Sequence, residues 1–140
     1  MQNNIRTGLF PVVAAVDLTG MEDRIVEMIN DSGVAKVQLP SSNSSRPLYL
    51  LTEGGAAGSD VLAQPLGGES NFRVVAKGTG NPGDVLCLAD GEDTAADKGK
   101  VRALPSAAGT YRAIAVCEET FADGGLGLAR ANGPEVITIT

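Results

Sequence analysis

GTGNPGDVLCLADGEDTAADKGKVRALPSAAGTYRAIAVCEE, residues Gly78–Glu119, is the stretch whose reading decides the fold. It holds three short apolar runs, Val85–Ala89, Val101–Leu104 and Tyr111–Cys117. Each is fenced by Gly, Pro, Asp or Ser, and runs of this length between such breakers read as β-strands. The text repeats a rhythm of Gly-Asp, strand, acidic loop, Gly-Lys-Val, strand, Gly-Thr-Tyr, strand. It predicts the core of a small all-β domain that the rest of the chain completes or decorates.

Outward from this core the same punctuation continues. Phe72–Lys77 is a further strand, and Leu48–Thr52 and Asp60–Pro65 form a pair around the glycine-rich Glu53–Ser59. Downstream, Leu126–Ala131 and Val136–Thr140 flank Asn132-Gly133, the strongest short hairpin signal, with Pro134 lengthening the turn. Upstream, the text over 21–39 admits two readings. Thr19 with Glu22 matches a capping box, and Met21, Ile25, Met28 and Ile29 fall at helical spacing. Against this, Arg24–Ile29 and Val34–Leu39 flank Asn30-Asp31-Ser32-Gly33, which is hairpin text, although the alternation is imperfect. The hairpin is the favoured reading and the helix the alternative. Leu9–Val16, broken by Pro11, suits an extended segment or an edge strand. Met1–Thr7 is polar and without period. The count is eight to ten strands with no long helix.

The totals bound the rest. At 140 residues the chain fits one domain, since domains commonly run about 100–150 residues. Eighteen Gly and seven Pro supply the turns of a short-stranded fold. Three Phe, two Tyr and no Trp leave the core to Val, Leu, Ile and Ala. A net charge of −6 argues against nucleic acid as a partner, because such binding needs a basic face. Lys98, Lys100 and Arg102 alternate with apolar or small residues and are expected on the solvent face of one strand. Cys87 and Cys117 sit inside apolar runs and read as two buried thiols, with a disulfide between neighbouring strands as the alternative. The N-terminus lacks the apolar run of a signal peptide, and no stretch reaches the length of a membrane span. A soluble protein made in the cytoplasm is expected, with no membrane partner.

Motifs of catalysis or ligand binding do not survive inspection. Gly78-Thr79-Gly80-Asn81-Pro82-Gly83 matches the dinucleotide pattern, but a strand follows it where a helix must supply the dipole. Asp90, Glu92, Asp93 and Asp97 make an acidic loop without the spacing of an EF-hand. With no His in the chain, His-based triads and zinc sites are excluded. The sequence therefore predicts no enzyme, no cofactor and no metal.

A resemblance then emerges from the punctuation itself. Pro82–Leu88, Gly99–Arg102, Ala108–Val116 and Asp123–Leu128, preceded by Ala15–Gly20, the Arg24–Leu39 hairpin and Leu48–Gly55, resemble tailed-bacteriophage capsid decoration proteins, also called head cement or stabilisation proteins. The resemblance implies an all-β small barrel or β-tulip-like domain, often trimeric. Such a protein binds the outer surface of the mature head and staples the major capsid protein lattice. It would be synthesised in the host cytoplasm and end on the virion. On the family pattern residues 1–16 form an extended N-terminal arm and 17–140 the decoration domain. The expected capsid contacts are Asn3, Asn4, Ile5, Arg6, Leu9 and Phe10. The alternative function is a soluble β-sandwich or barrel binding module for a protein or glycan partner.

Overall fold

The computed structural model describes residues 8–40, 49–67, 70–89 and 95–140, and the fold is all-β. Five strands close into a barrel: β1 (Phe10–Ala14), β2 (Ile25–Asp31), β3 (Val34–Gln38), β4 (Tyr49–Glu53) and β5 (Asp60–Pro65), in the order β1-β3-β2-β4-β5. The parallel β1–β3 pairing and the antiparallel β1–β5 pairing complete the ring. A second sheet has the order β6-β10-β9-β7-β8, built from β6 (Asn71–Val75), β7 (Val85–Leu88), β8 (Val101–Ala103), β9 (Gly109–Cys117) and β10 (Leu126–Ile139). A parallel bridge from Ala76 to Val101, with the Lys77 N–H on the Val101 carbonyl at 2.8 Å, draws the far edges of this sheet together.

Local chemistry explains the elements. β2 and β3 turn through Ser32 and Gly33, with φ of 52° and 86°; two successive positive φ values are the signature of the type I′ hairpin, whose twist suits the flanking strands. The Asn30 side chain accepts the Gly33 N–H at 2.7 Å. Asn30 and Asp31 themselves continue β2, opposite Ala35 and Val34, so the turn is shorter than the sequence frames it. The helical alternative fails because the Asp17 carboxylate takes both the N–H and the hydroxyl of Thr19, and Asp23 adopts φ 65°. Pro11 is tolerated in β1 because its pairing there is with β5 alone; β3 joins only at Val13.

Two apolar clusters hold the fold. The barrel interior is packed by Phe10, Val12, Leu18, Val26, Leu51 and Val61, among others. The second sheet buries Phe72, Val74, Leu86, Val101, Ile114 and Phe121, and takes in Ile25 and Leu50 from the barrel wall. Adjacent residues Ile25 and Val26 thus bury on opposite faces of β2, one toward each cluster. A strand buried on both faces cannot alternate cleanly, and β2 opens with three successive buried residues, Ile25, Val26 and Glu27. Main-chain bonds reinforce the junction: the Ile25 N–H donates to the Gly99 carbonyl at 2.8 Å and the Val75 N–H to the Asp23 carbonyl at 2.9 Å. The Arg24 guanidinium donates to the carbonyls of Ala96 and Lys98, at 2.7 and 3.0 Å.

Three sequence expectations need correction. Leu126–Ala131 and Val136–Thr140 are not the arms of a hairpin: one fourteen-residue strand, Leu126–Ile139, runs through both. β9 is long enough to pair on both sides of the break, so Ala131 faces Ala115 and Glu135 faces Ala113, with a bulge between them. The bulge absorbs the missing N–H of Pro134, and non-local pairing overrides the local turn signal. Phe10–Ala14, read as part of an extended segment or edge strand, is the barrel strand β1 and is paired on both sides, with β5 and with β3. Arg102, expected on a solvent face, is half-buried with its guanidinium 5.7 Å from the centre of the Tyr111 ring.

Candidate functional site

The residues expected to touch a capsid divide between two settings. Asn3, Asn4, Ile5 and Arg6 lie outside the described residues. Leu9 is 56 % exposed, immediately before β1. Phe10 is a core residue of the barrel, its ring meeting that of Tyr49 edge-on at 5.6 Å, so it anchors the start of β1 beside the exposed Leu9.

Other surfaces have features for docking. At the β2–β3 hairpin, Met28 and Val34 are exposed beside a shallow hollow of about 400 Å³. Among the described residues β6 pairs with β10 only as far as Arg130, and β10 runs on to Ile139. There Val136 is 51 % exposed. On the second sheet, Glu118 pairs with Arg130 at 3.0 Å and Arg73 with Glu119 at 3.3 Å. The Arg130 hydrogen bond holds the Glu118 carboxyl below the ordinary Glu range against the opposing effect of desolvation, with smaller help from the Arg130 charge and from Asn71.

The sequence motifs resolve into structure. Gly78–Gly83 is a turn. Its Gly83 N–H bonds to the Cys117 carbonyl at 2.8 Å, the Asp84 carboxylate accepts the Asn81 N–H at 2.9 Å, and β7 follows directly. Of the acidic loop, Asp97 is a strut between Lys77 and Lys100, at 2.8 and 3.2 Å; Asp90, Glu92 and Asp93 lie outside the described residues. Among the described residues no group of three His, Cys, Asp or Glu is placed to hold a metal ion, and no helix is long and apolar enough to cross a membrane.

Cys87 and Cys117 are buried free thiols, as the sequence predicts. Burial pushes the Cys87 thiol above the ordinary cysteine range, against the opposing pull of the Arg102 guanidinium. Since the thiolate is the reactive form, both should resist an aromatic disulfide reagent in the folded protein at mildly alkaline pH and react fully in urea. Rapid labelling of either thiol in the folded state would contradict this burial.

No known protein family matches the chain, and no curated protein matches it. Among solved structures it is similar to the head fiber gp8.5 N base of bacteriophage phi29, with a TM-score of 0.65 and 16% sequence identity. The likeness is one of fold. It spans 91% of this chain and 96% of the other, so both units of the molecule are matched. At that identity no residue role transfers from one chain to the other. Sequence reasoning missed the Arg24 and Ile25 junction and the end of β10 past Arg130. The run Val136–Thr140, free of charge and rich in β-branched residues, was the available signal for the latter.

Proposed function

We propose that this chain is a structural protein of a phage head, seated on the outer surface of the mature shell, where it stabilises the lattice of the major capsid protein. The observation that carries the reading is the fold likeness, over nearly the whole chain, to a protein described as the base of a phage head fiber. The rhythm of Gly-Asp and Gly-Lys-Val punctuation supports it separately, through the resemblance to decoration proteins. The role asks for surfaces and edges rather than a reactive centre. Copies of the chain acting together multiply weak contacts through effective concentration; the number three comes from the family resemblance alone.

The alternative of a glycan-binding module is disfavoured by the aromatics. Phe10, Phe72, Tyr111 and Phe121 are buried and Tyr49 is half-buried against Phe10, which leaves no exposed ring for a sugar to stack on.

The test is co-sedimentation of the purified protein with expanded, undecorated heads. Binding is expected, together with a rise in the temperature at which the heads rupture. Deleting Met1–Gly8 is expected to weaken binding tenfold or more with an unchanged circular dichroism spectrum, because the cut stops short of the Phe10 anchor. Absence of co-sedimentation with the cognate shell sinks the proposal; full binding by the truncated protein removes the N-terminal segment from it.

A further inference from the structure

We propose that the free edge at the end of β10, Val136–Ile139 with the following Thr140, joins two copies of this chain by antiparallel strand pairing about a two-fold axis centred on Thr138. Ala131–Ile139 have β9 as their sole strand partner among the described residues, because β6 pairs with β10 only from Leu126 to Arg130. An edge of this kind presents a row of main-chain donors and acceptors to any strand that fits.

The two halves of that edge differ. Over Ala131–Glu135 the bulge and Pro134 interrupt the ladder, and both are devices that blunt a sheet edge. From Val136 onward such protection is gone. The residues Val136-Ile137-Thr138-Ile139-Thr140 are uncharged and β-branched throughout, with no Pro and no Lys. They form the composition that pairs most readily when left open.

The occupant follows from register. A two-fold axis normal to the sheet keeps the same face up in both copies, so each residue must meet one of its own parity. Centring on Thr138 sets Thr138 against Thr138, Ile137 against Ile139 twice, and Val136 against Thr140 twice. Thr–Thr and paired β-branched contacts are favourable cross-strand neighbours. Glu135 has no partner within Val136–Thr140, so the pairing of these residues opposes no like charges. Moving the centre by one residue, to Ile137, sets Glu135 against Ile139 and brings Pro134 into the ladder. The segment is thus complementary to itself in one register, and an isologous contact of this type closes at two copies without propagating. The exposure of Val136 and Thr138 on one face, with Ile137 and Ile139 half-buried on the other, leaves the edge accessible.

This contact is independent of shell binding and differs from a three-copy ring, which needs two unlike surfaces. The experiment uses the full chain with Thr138→Cys and, as comparator, Val34→Cys, which is 49 % exposed on the other unit. Directly opposed residues lie about 5 Å apart at Cβ, within disulfide reach after small adjustment. Mild oxidation should cross-link Thr138→Cys into a dimer on the order of tenfold faster than Val34→Cys, because pairing raises the local thiol concentration toward millimolar. In sedimentation, Val136→Lys/Thr138→Lys, which charges the solvent side of the edge, should weaken dimerisation at least about tenfold with an unchanged dichroism spectrum. Equal cross-linking rates overturn the proposal. So does a monomer at all concentrations, or a three-copy mass that the lysines leave unchanged.

Discussion

Gly99→Ala is expected to lower the unfolding free energy by about 3 kcal/mol in urea titration, the sum of a backbone strain and a packing conflict. Gly99 has φ +80°, a region that costs a side-chain-bearing residue roughly 1–2 kcal/mol. A Cβ there would also lie 2.7 Å from the Ile25 carbonyl oxygen, 3.0 Å from Leu39 Cδ2 and 3.1 Å from Arg24 Cβ. The oxygen is backbone and cannot rotate aside. The same two residues are already tied by the Ile25 N–H on the Gly99 carbonyl, so any retreat stretches that bond. Gly20 supplies the control. Its φ is +75°, but the added Cβ meets open space, so Gly20→Ala should cost only the strain, about 1 kcal/mol. If the two variants lose equal stability, Gly99 is not a junction residue.

That junction marks where sequence reading stops. The strands from β4 to β9 were legible within a residue or two because each is a short apolar run between breakers, a local signal. The hairpin of β2 and β3 was legible from Asn30–Gly33. The parallel β1–β3 pairing and the closure of the barrel were not, since ring closure joins segments that carry no mutual code. β10 was misread for the same reason: Asn132-Gly133 is a valid turn signal until β9 proves long enough to pair past it. Leu9 and Phe10 look alike in sequence as apolar residues beside a polar leader. Only the position of Tyr49 places one in the core and leaves the other exposed. A protein that docks through faces and main-chain edges leaves no spacing of catalytic residues to find, so its contacts are the least legible part. The exception is composition. An uncharged β-branched run at a sheet edge is visible in the sequence and acquires meaning once the pairing is known.

The second large effect is expected at Ile25→Ala, a loss of about 3–4 kcal/mol of stability, near the middle of the range for truncating a fully buried Ile. Ile25 belongs to a barrel strand by its hydrogen bonds, opposite Leu50, and to the second cluster by its side chain, which is completely buried. Removing three carbons there opens a void between two sheets. The Gly99 and Asp23 main-chain bonds hold those sheets at a fixed distance, so the gap cannot close by local collapse. Val26→Ala removes fewer atoms from the barrel interior and should cost less. Ile25→Val, which trims a single methylene, should cost about 1 kcal/mol. The graded series separates packing from backbone effects, because all three variants keep the same main-chain bonds. One cooperative transition is expected throughout: Ile25 and Leu50 are part of the second core as well as of the barrel, so neither unit can lose its packing without exposing part of the other's. Two resolved transitions in Ile25→Ala, absent from the wild type, would show that this side chain is what couples the units. A loss below about 1 kcal/mol would mean that the sheets can close over the gap, and that the junction rests on its main-chain bonds instead.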